Sequence, residues 1–507
     1  MSNAVLAQYT IRSKQEYIFN TNRVLEIVGG SIIIRDAWKV LFKCAEDLGY
    51  SVKRLDEEYK HSEIKDLFQN KKLNAVELFC GGGNETVLFD SKESYIKLNK
   101  HFSYTLMKNY PGMTLMSVYV DITDDYRDDY ARLMKLAELE KKKMYSGQEH
   151  FILPFSEVDK ETFRPYSMIR NEEGNAKKYS YEAFAKRQKG IEEREKDEAI
   201  KFLDYMVTEK GKESLLAVVH ADGNNMGSKI MTMFGECHDY DTCVMMMRVF
   251  TEDTKKAFVV EGLKALSEKQ KELMQKNTKL KEKMEKDKKY NPFAYRVIVK
   301  DGDDMTFICN ARFVMDYVSA YIKKVQSYES KWKYSSCAGI CIFHSHYPFS
   351  KAYQMAEQAC DDGAKQKVHV VENGKVVAIE EGWVDFHYIH SGIGGNLEEI
   401  RKAHNTEKCM ARPWLVTEGN ETVYTLENFN KLAQIINEHK VSRTNIKNIG
   451  ILLEDSLEEG RKELSRIYGH KKGLKEELQK VFDNEDDLLK AIYDFAEVYD
   501  LWYEEVK

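Results

Sequence analysis

FAYRVIVKDGDDMTFICN, residues 293–310, sets apolar alternation on both sides of a turn that packs three aspartates, Asp301, Asp303 and Asp304, into four positions. Alternation of that kind predicts two strands, and Asp-Gly between them is a favoured hairpin dipeptide. Carboxylates this close raise one another's pKa unless a cation sits among them. Hard divalent ions with oxygen ligands, Mg²⁺ or Mn²⁺, suit such a cluster. Two of them about 3.5–4 Å apart support in-line displacement at phosphorus. A solvated acidic turn is the competing reading of the hairpin taken alone.

AVVHADGNNMGSKI, residues 217–230, bears on that choice. An apolar strand ends in Asp222, and Gly223 and a polar turn through Asn225 lead into a helix. A strand-end aspartate can meet the tip of a neighbouring hairpin, Gly223 leaves its carbonyl open to a metal, and Met226-Gly227 let the chain turn closely over phosphates. A strand-end Asp followed in chain order by a hairpin Asp-Asp is the metal constellation of palm-type polymerases and nucleotide cyclases. Downstream, YPFSKAYQMAEQACDDGAK predicts a helix ending at Lys365, a point charge able to reach a triphosphate.

Around this hairpin, residues 211–392 read in the order strand, helix, hairpin, helix, strand, helix, with a last hairpin through VHVVENGKVVAIEE. Residues 1–125 show the same order. A strand-like QYTIRSKQEYIF precedes a long helix, NAVELFCGGGNETVLFD is a hairpin pattern, and a helix and the strand TLMSVYVDI follow. The fold class expected is therefore α+β, with two ferredoxin-like palms of βαββαβ order. Residues 126–210 read as a charged, helical connecting region around a loop, and residues 393–507 as a C-terminal helical bundle. Residues 264–289 hold ten lysines against five acids with Leu266, Leu273 and Leu280 seven apart. That pattern is a solvated helix face with a short seam, or a basic arm for RNA.

The whole chain has 507 residues, a net charge of −6, 43% hydrophobic residues and six prolines. The charge argues against a surface wholly given to nucleic acid, since phosphate binding needs clustered Lys and Arg. Apolar runs are far shorter than the ~20 residues of a membrane span, and the N-terminus lacks the apolar core of a secretory signal. Nine cysteines without a CxxC pair do not form a disulfide framework. A cytoplasmic, reduced protein without membrane contact is expected. Cys237, His238, Asp239 and Cys243 read as a plain loop rather than a metal cluster, Cys337 and Cys341 as core, and His344 and His346 as structural.

HADGNNMG, DGDDMTFI, SSCAGICIFHSHYPF and AEQACDDGAK resemble the catalytic palm of the large polymerase-cyclase subunit of type III CRISPR effector complexes, itself related to the GGDEF diguanylate cyclases. KQEYIF, NRVLEIVGGSIIIRDAW and FCGGGNETVLF resemble the first palm of the same subunit. LPFSEVDKETFRPYSM, SYEAFAKRQKG and KCMARPWLV are looser matches to its connecting and helical regions. The resemblance implies two palms facing one another around ATP or another NTP, within one monomer, forming one internal active site. It implies synthesis of cyclic oligonucleotides for antiviral defence, with RNA or CRISPR-like subunits as partners. A scaffold that binds RNA without turnover is the alternative.

Carried onto this chain, Asp222, Asp303 and Asp304 hold two Mg²⁺ or Mn²⁺ ions. Gly223, Asn225 and Gly302 approach the nucleotide, Lys365 binds the triphosphate tail, and Gly81, Gly82 and Gly83 of the first palm lie near the second substrate. CGGGN lacks carboxylates, and no strand-end Asp in the first palm matches Asp222. Asp301 stands where the family has Gly, and is expected to add charge beside the phosphates. No segment matches the family's HD nuclease or its zinc-binding cysteine pairs.

Overall fold

The computed structural model describes the chain apart from residues 1–2, 55–72, 82, 124, 144–154, 160–161, 163, 173, 195–202, 210, 236, 238–239, 288, 373–374, 391–394, 405, 420–421 and 503–507. It divides into two compact units. Unit 1 comprises Met1–Ala199, Asn225–Val259 and Ile298–Asp303, and unit 2 comprises Ile200–Asn224, Val260–Val297 and Asp304–Lys507.

Unit 1 carries a five-stranded sheet. β1 (Val5–Arg12), α1 (Lys14–Phe19), α2 (Val24–Asp47), β2 (Val52–Lys53), β3 (Ala75–Gly81), β4 (Asn84–Phe89), α3 (Lys92–Asn109) and β5 (Thr114–Asp121) follow in chain order. The strands lie in the order β2-β3-β4-β1-β5. Without the short β2 this is the ferredoxin-like arrangement of a βαββαβ chain, β1 lying between β4 and β5, antiparallel to both. Tyr9 shows why β1 is central. It is fully buried, with Phe89, Tyr95 and Phe102 rings 6.1–6.5 Å from its own. The strand-like reading of QYTIRSKQEYIF is corrected in its second half. Ser13 takes a positive φ and Lys14–Phe19 coil into α1, with Tyr17, Ile18 and Phe19 buried.

α4 (Tyr126–Lys142) and α5 (Tyr181–Arg194) flank a hairpin of β6 (Met168–Glu172) and β7 (Asn175–Tyr179), turned at Gly174 with φ 82°. The connecting region read from sequence as helix and loop therefore contains a two-stranded sheet. Its exposed charges hid the strands, since neither face of β7 is buried before Tyr179.

Unit 2 is built on a second sheet, ordered β15-β14-β11-β8-β10-β9. Its strands are β8 (Leu215–Gly223), β9 (Tyr295–Asp301), β10 (Asp304–Asn310), β11 (Ser336–His344), β14 (Trp383–Tyr388) and β15 (Trp414–Leu415). The outer end of β9 is counted with unit 1. The four strands β11-β8-β10-β9 repeat the ferredoxin-like order, and the hairpin of β12 (His369–Glu372) with β13 (Lys375–Ala378) forms as the sequence indicates. After β8, α6 (Met226–Gly235) and α7 (Tyr240–Lys255) belong to unit 1, where buried Arg248 donates to the carbonyls of Leu78 and Glu77.

The lysine-rich stretch folds as α8 (Gly262–Lys276) and α9 (Thr278–Lys286). Leu266, Leu273 and Leu280 form the buried seam of these helices. α8 packs on α10 (Val314–Gln326), and α11 (Phe349–Gln358) lies on β11 and β8. Gly339 on β11 explains how closely: a Cβ there would stand 2.0 Å from the Ala356 carbonyl oxygen. Cys337 and Cys341 are core, as expected. Among the described residues beyond 394, the elements other than β15 are helices, the last being Glu485–Trp502. No helix among the described residues is long and apolar enough to cross a membrane.

Candidate active site

β8 and β10 pair antiparallel, with Thr306 opposite His220 and Met305 opposite Ala221. One step further along this register, Asp304, the first residue of β10, stands across from Asp222. Directly opposed residues of an antiparallel pair share a face, with Cβ atoms about 4.5–5.5 Å apart. The sheet therefore juxtaposes two carboxylates that lie 82 positions apart in sequence. Gly302, at φ 63°, and Asp303 form the turn that leads into β10. The positive φ is why glycine serves there.

Lys365 completes the cluster. α11 gives way to a wide turn over Ala359–Gly363 and a tighter one over Ala364–Val368, which brings Lys365 Nζ onto Asp222 Oδ2 and within 3.5 Å of Asp361. Burial disfavours its charge, yet Asp222 with Cys360 and Asp361 more than offset this and hold its pKa above the ordinary lysine range. The sequence reading aimed Lys365 at phosphate from a helix end; in the structure it sits in the tighter turn and its partner is a carboxylate. Asp222 is further anchored through its backbone, whose carbonyl accepts from Ser336 Oγ at 3.0 Å, and its Oδ1 accepts from the Gly223 N–H at 2.9 Å.

His220 lies on the same face as Asp222, two residues earlier. Its Nδ1 is 3.4 Å from Thr306 Oγ1 and 3.5 Å from Asp304 Oδ1. Burial lowers its pKa, against the pull of Asp222, Glu357 and Asp361. Sequence reasoning missed His220, although the two-residue period of a strand places it beside Asp222. Asn225 takes φ 58° and its carbonyl accepts from Lys229 N and Ser228 Oγ, so it shapes the entry to α6.

Asp301 belongs to unit 1. Its charged neighbours are Lys14 and Lys255, all within unit 1. Burial pushes its carboxyl up, and the two ammonium groups only partly pull it back. Gly83, at φ 66°, has both Lys14 Nζ and Asp301 Oδ2 against its α-carbon: a Cβ there would meet them at 1.8 and 2.9 Å. Asp301, expected to add charge beside the phosphates, thus has Lys14 and Lys255 as counter-charges.

Gly81 also belongs to unit 1, where it packs on Thr251, and Gly82 lies outside the described residues. His238 and Asp239 lie outside them too, while Cys237 and Cys243 are buried.

The first palm repeats the register with different chemistry. Thr10 pairs with Asn84, Tyr9 with Glu85 and Gln8 with Thr86. Asn84 opens β4 as Asp304 opens β10, so Thr10 holds the place of Asp222 and Gln8 that of His220. Thr10 Oγ1 donates to Asn84 Oδ1. A neutral hydrogen bond thus replaces the carboxylate pair, and the absence of a match to Asp222 acquires a residue: Thr10.

The donor set of the second palm fits hard divalent ions. Asp222 and Asp304 offer oxygens from opposed positions, and Asp222 already draws a cationic side chain to itself.

Comparison with known proteins matches residues 215–370 to the family described as Cas10/Cmr2, second palm domain. Among solved structures, the apo Csm1-Csm4 cassette is similar over 99% of this chain and 70% of its own, at 12% identity and a TM-score of 0.49. Csm1 of T.onnurineus is similar over 100% and 70%, at 10% identity and 0.47. The Csm1-Csm4 cassette in complex with cA4 gives 98%, 69%, 10% and 0.48. No curated protein matches the chain. Residues 215–370, which carry the β11-β8-β10-β9 order, are similar to the Cas10/Cmr2 second palm domain, and the chain resembles the polymerase-cyclase subunit of type III CRISPR effector complexes.

Proposed function

We propose that this protein is a metal-dependent nucleotidyltransferase that joins nucleoside triphosphates, ATP foremost, into cyclic oligonucleotides. The observation that carries the reading is the opposed pair Asp222 and Asp304, with Lys365 lodged on Asp222. In each joining step a ribose hydroxyl oxygen bonds to an α-phosphorus, the bond from that phosphorus to the β-phosphate oxygen breaks, and pyrophosphate leaves. The hydroxyl proton passes to solvent or base. In the last step the hydroxyl and the triphosphate belong to one chain, and a ring results.

Asp222, Asp303 and Asp304 are the residues that would hold Mg²⁺ or Mn²⁺. Bound there, the ions supply charge neutralisation at phosphorus and a more acidic attacking hydroxyl. Lys365, now on Asp222, is the cation that turns to the phosphate tail, and Gly302, without a side chain, lets backbone approach the phosphates. The family match favours CRISPR-like subunits and RNA as partners and triggers.

The test incubates the purified protein with each NTP and Mg²⁺ or Mn²⁺, with and without RNA, and follows pyrophosphate and product mass. The wild type should release pyrophosphate and form cyclic or linear oligonucleotides, and Asp303→Asn with Asp304→Asn should form none while remaining folded. Undiminished turnover in the double variant would overturn the site. RNA binding with no turnover of any NTP would favour the scaffold role.

A second measurement concerns Asp301. Because its neighbours are Lys14 and Lys255, Asp301→Gly should leave the Mg²⁺ and Mn²⁺ concentrations for half-maximal rate unchanged. A clear shift in metal dependence would return Asp301 to the metal site.

A further inference from the structure

We infer that His220 is a positioning residue for Asp304, fixing the carboxylate that the proposed function assigns to metal; the inference rests on that reading. β8 sets His220 on the face of Asp222, and the register places it opposite Thr306, next to Asp304 on β10. Its Nδ1 addresses both Thr306 Oγ1 at 3.4 Å and Asp304 Oδ1 at 3.5 Å. The ring has little freedom to turn away. Its side chain is 5% exposed, and Tyr353 meets it edge-on with centroids 5.8 Å apart and planes at 81°. Tyr353 is itself buried, and its hydroxyl donates to Glu357 Oε1 at 3.3 Å.

With Nδ1 paired to Thr306 Oγ1 and 3.5 Å from Asp304 Oδ1, the ring packs against one carboxylate oxygen and leaves the other to face a metal. Partners of this outer kind fix the ligand's orientation, and their loss typically lowers metal affinity about 10–100-fold. The first palm supplies an internal contrast. Where Asn84 replaces Asp304, Gln8 replaces the imidazole, so the histidine accompanies the carboxylate.

His220 could instead be a ligand, since its ring, Cys360 Sγ and an Asp361 oxygen all lie within 4.8 Å of one another. The neighbours argue against it. Cys360 Sγ donates to the Cys337 carbonyl at 3.6 Å, its thiol is pushed up by burial, and Asp361 is 3.5 Å from the Lys365 ammonium.

The experiment measures Mn²⁺ binding to the full chain without nucleotide, by paramagnetic resonance of free Mn²⁺, beside thermal melts. Asparagine places an amide N–H where Nδ1 stands, and glutamine places one nearer Nε2. His220→Gln should bind the same number of ions about 10–100-fold more weakly. His220→Asn should restore most of the affinity. Equal weakening in both variants, or none in His220→Gln, overturns the inference, and loss of a whole bound ion makes His220 a ligand and overturns it too. If Asp303→Asn with Asp304→Asn binds Mn²⁺ like wild type, the underlying site reading fails; if it loses Mn²⁺ while His220→Gln does not, only the histidine's role fails.

Discussion

Asp222→Asn should lower nucleotidyl transfer by at least about 10²–10³-fold, the cost typical of removing one preorganised charge-stabilising group, with the melting temperature nearly unchanged. The two effects separate because of where the carboxylate sits. Its backbone carbonyl, held by Ser336 Oγ, is untouched by the substitution. The ion pair it loses is partly exposed, with Asp222 at 26% and Lys365 at 23%, and solvent screens such pairs. Catalysis has no such cushion. The carboxylate opposite Asp304 in the proposed metal site is gone, and Lys365 loses the group that most offsets its burial, so its pKa should fall toward the ordinary range. Steady-state rates with Mg²⁺ and Mn²⁺, read beside thermal melts, check this. A folded variant retaining wild-type turnover would remove Asp222 from the site.

The largest effect on stability is expected at Arg412. It is almost wholly buried, with Glu497 on Nη1, Asp494 3.6 Å from Nε, and the guanidinium over the Phe386 ring at 4.5 Å. Beside it, Arg401 grips Asp385 with two bonds of 2.8 Å. Asp494 also accepts from the Ala411 and Arg412 N–H groups and from Trp414 Nε1. Arg412→Met keeps much of the volume but strands Asp494 and Glu497 as buried anions, a loss that costs about 3–5 kcal/mol, or roughly 10 °C in melting temperature.

The pH dependence follows from the sign of the shift. Burial already pushes the Asp494 carboxyl up to about 7, with Arg412 holding it back. A carboxyl raised above its unfolded value contributes stability below that value and loses it as pH rises through the folded one. Without Arg412 the folded value rises further, so the variant's deficit should be larger at pH 8 than at pH 5. A deficit independent of pH would mean that the charges are solvated rather than stranded.

Much of this protein follows from local sequence. Apolar runs on either side of a glycine-bearing turn, around 293–310 and 75–89, mark the two hairpins. The chain order of Asp222, Asp303 and Asp304 marks the candidate site before any fold is seen. The misread segments are those where local pattern and environment part: the end of QYTIRSKQEYIF, where Ser13 takes a positive φ and the chain coils into α1, and β7, which is exposed up to Tyr179.

Tertiary structure alone decided which side chains meet. That Asp304 faces Asp222, that Thr10 and Asn84 occupy the same places in the first palm, and that His220 addresses Asp304 are facts of register, set by pairing strands about 75–85 residues apart. That Asp301 answers to Lys14 and Lys255, and that Lys365 rests on Asp222, depends on turns whose direction no hydrophobic period encodes. The physical reason is range: periodicity reports which face of an element is buried, whereas electrostatic partnership is fixed only when separate elements come within a few ångströms.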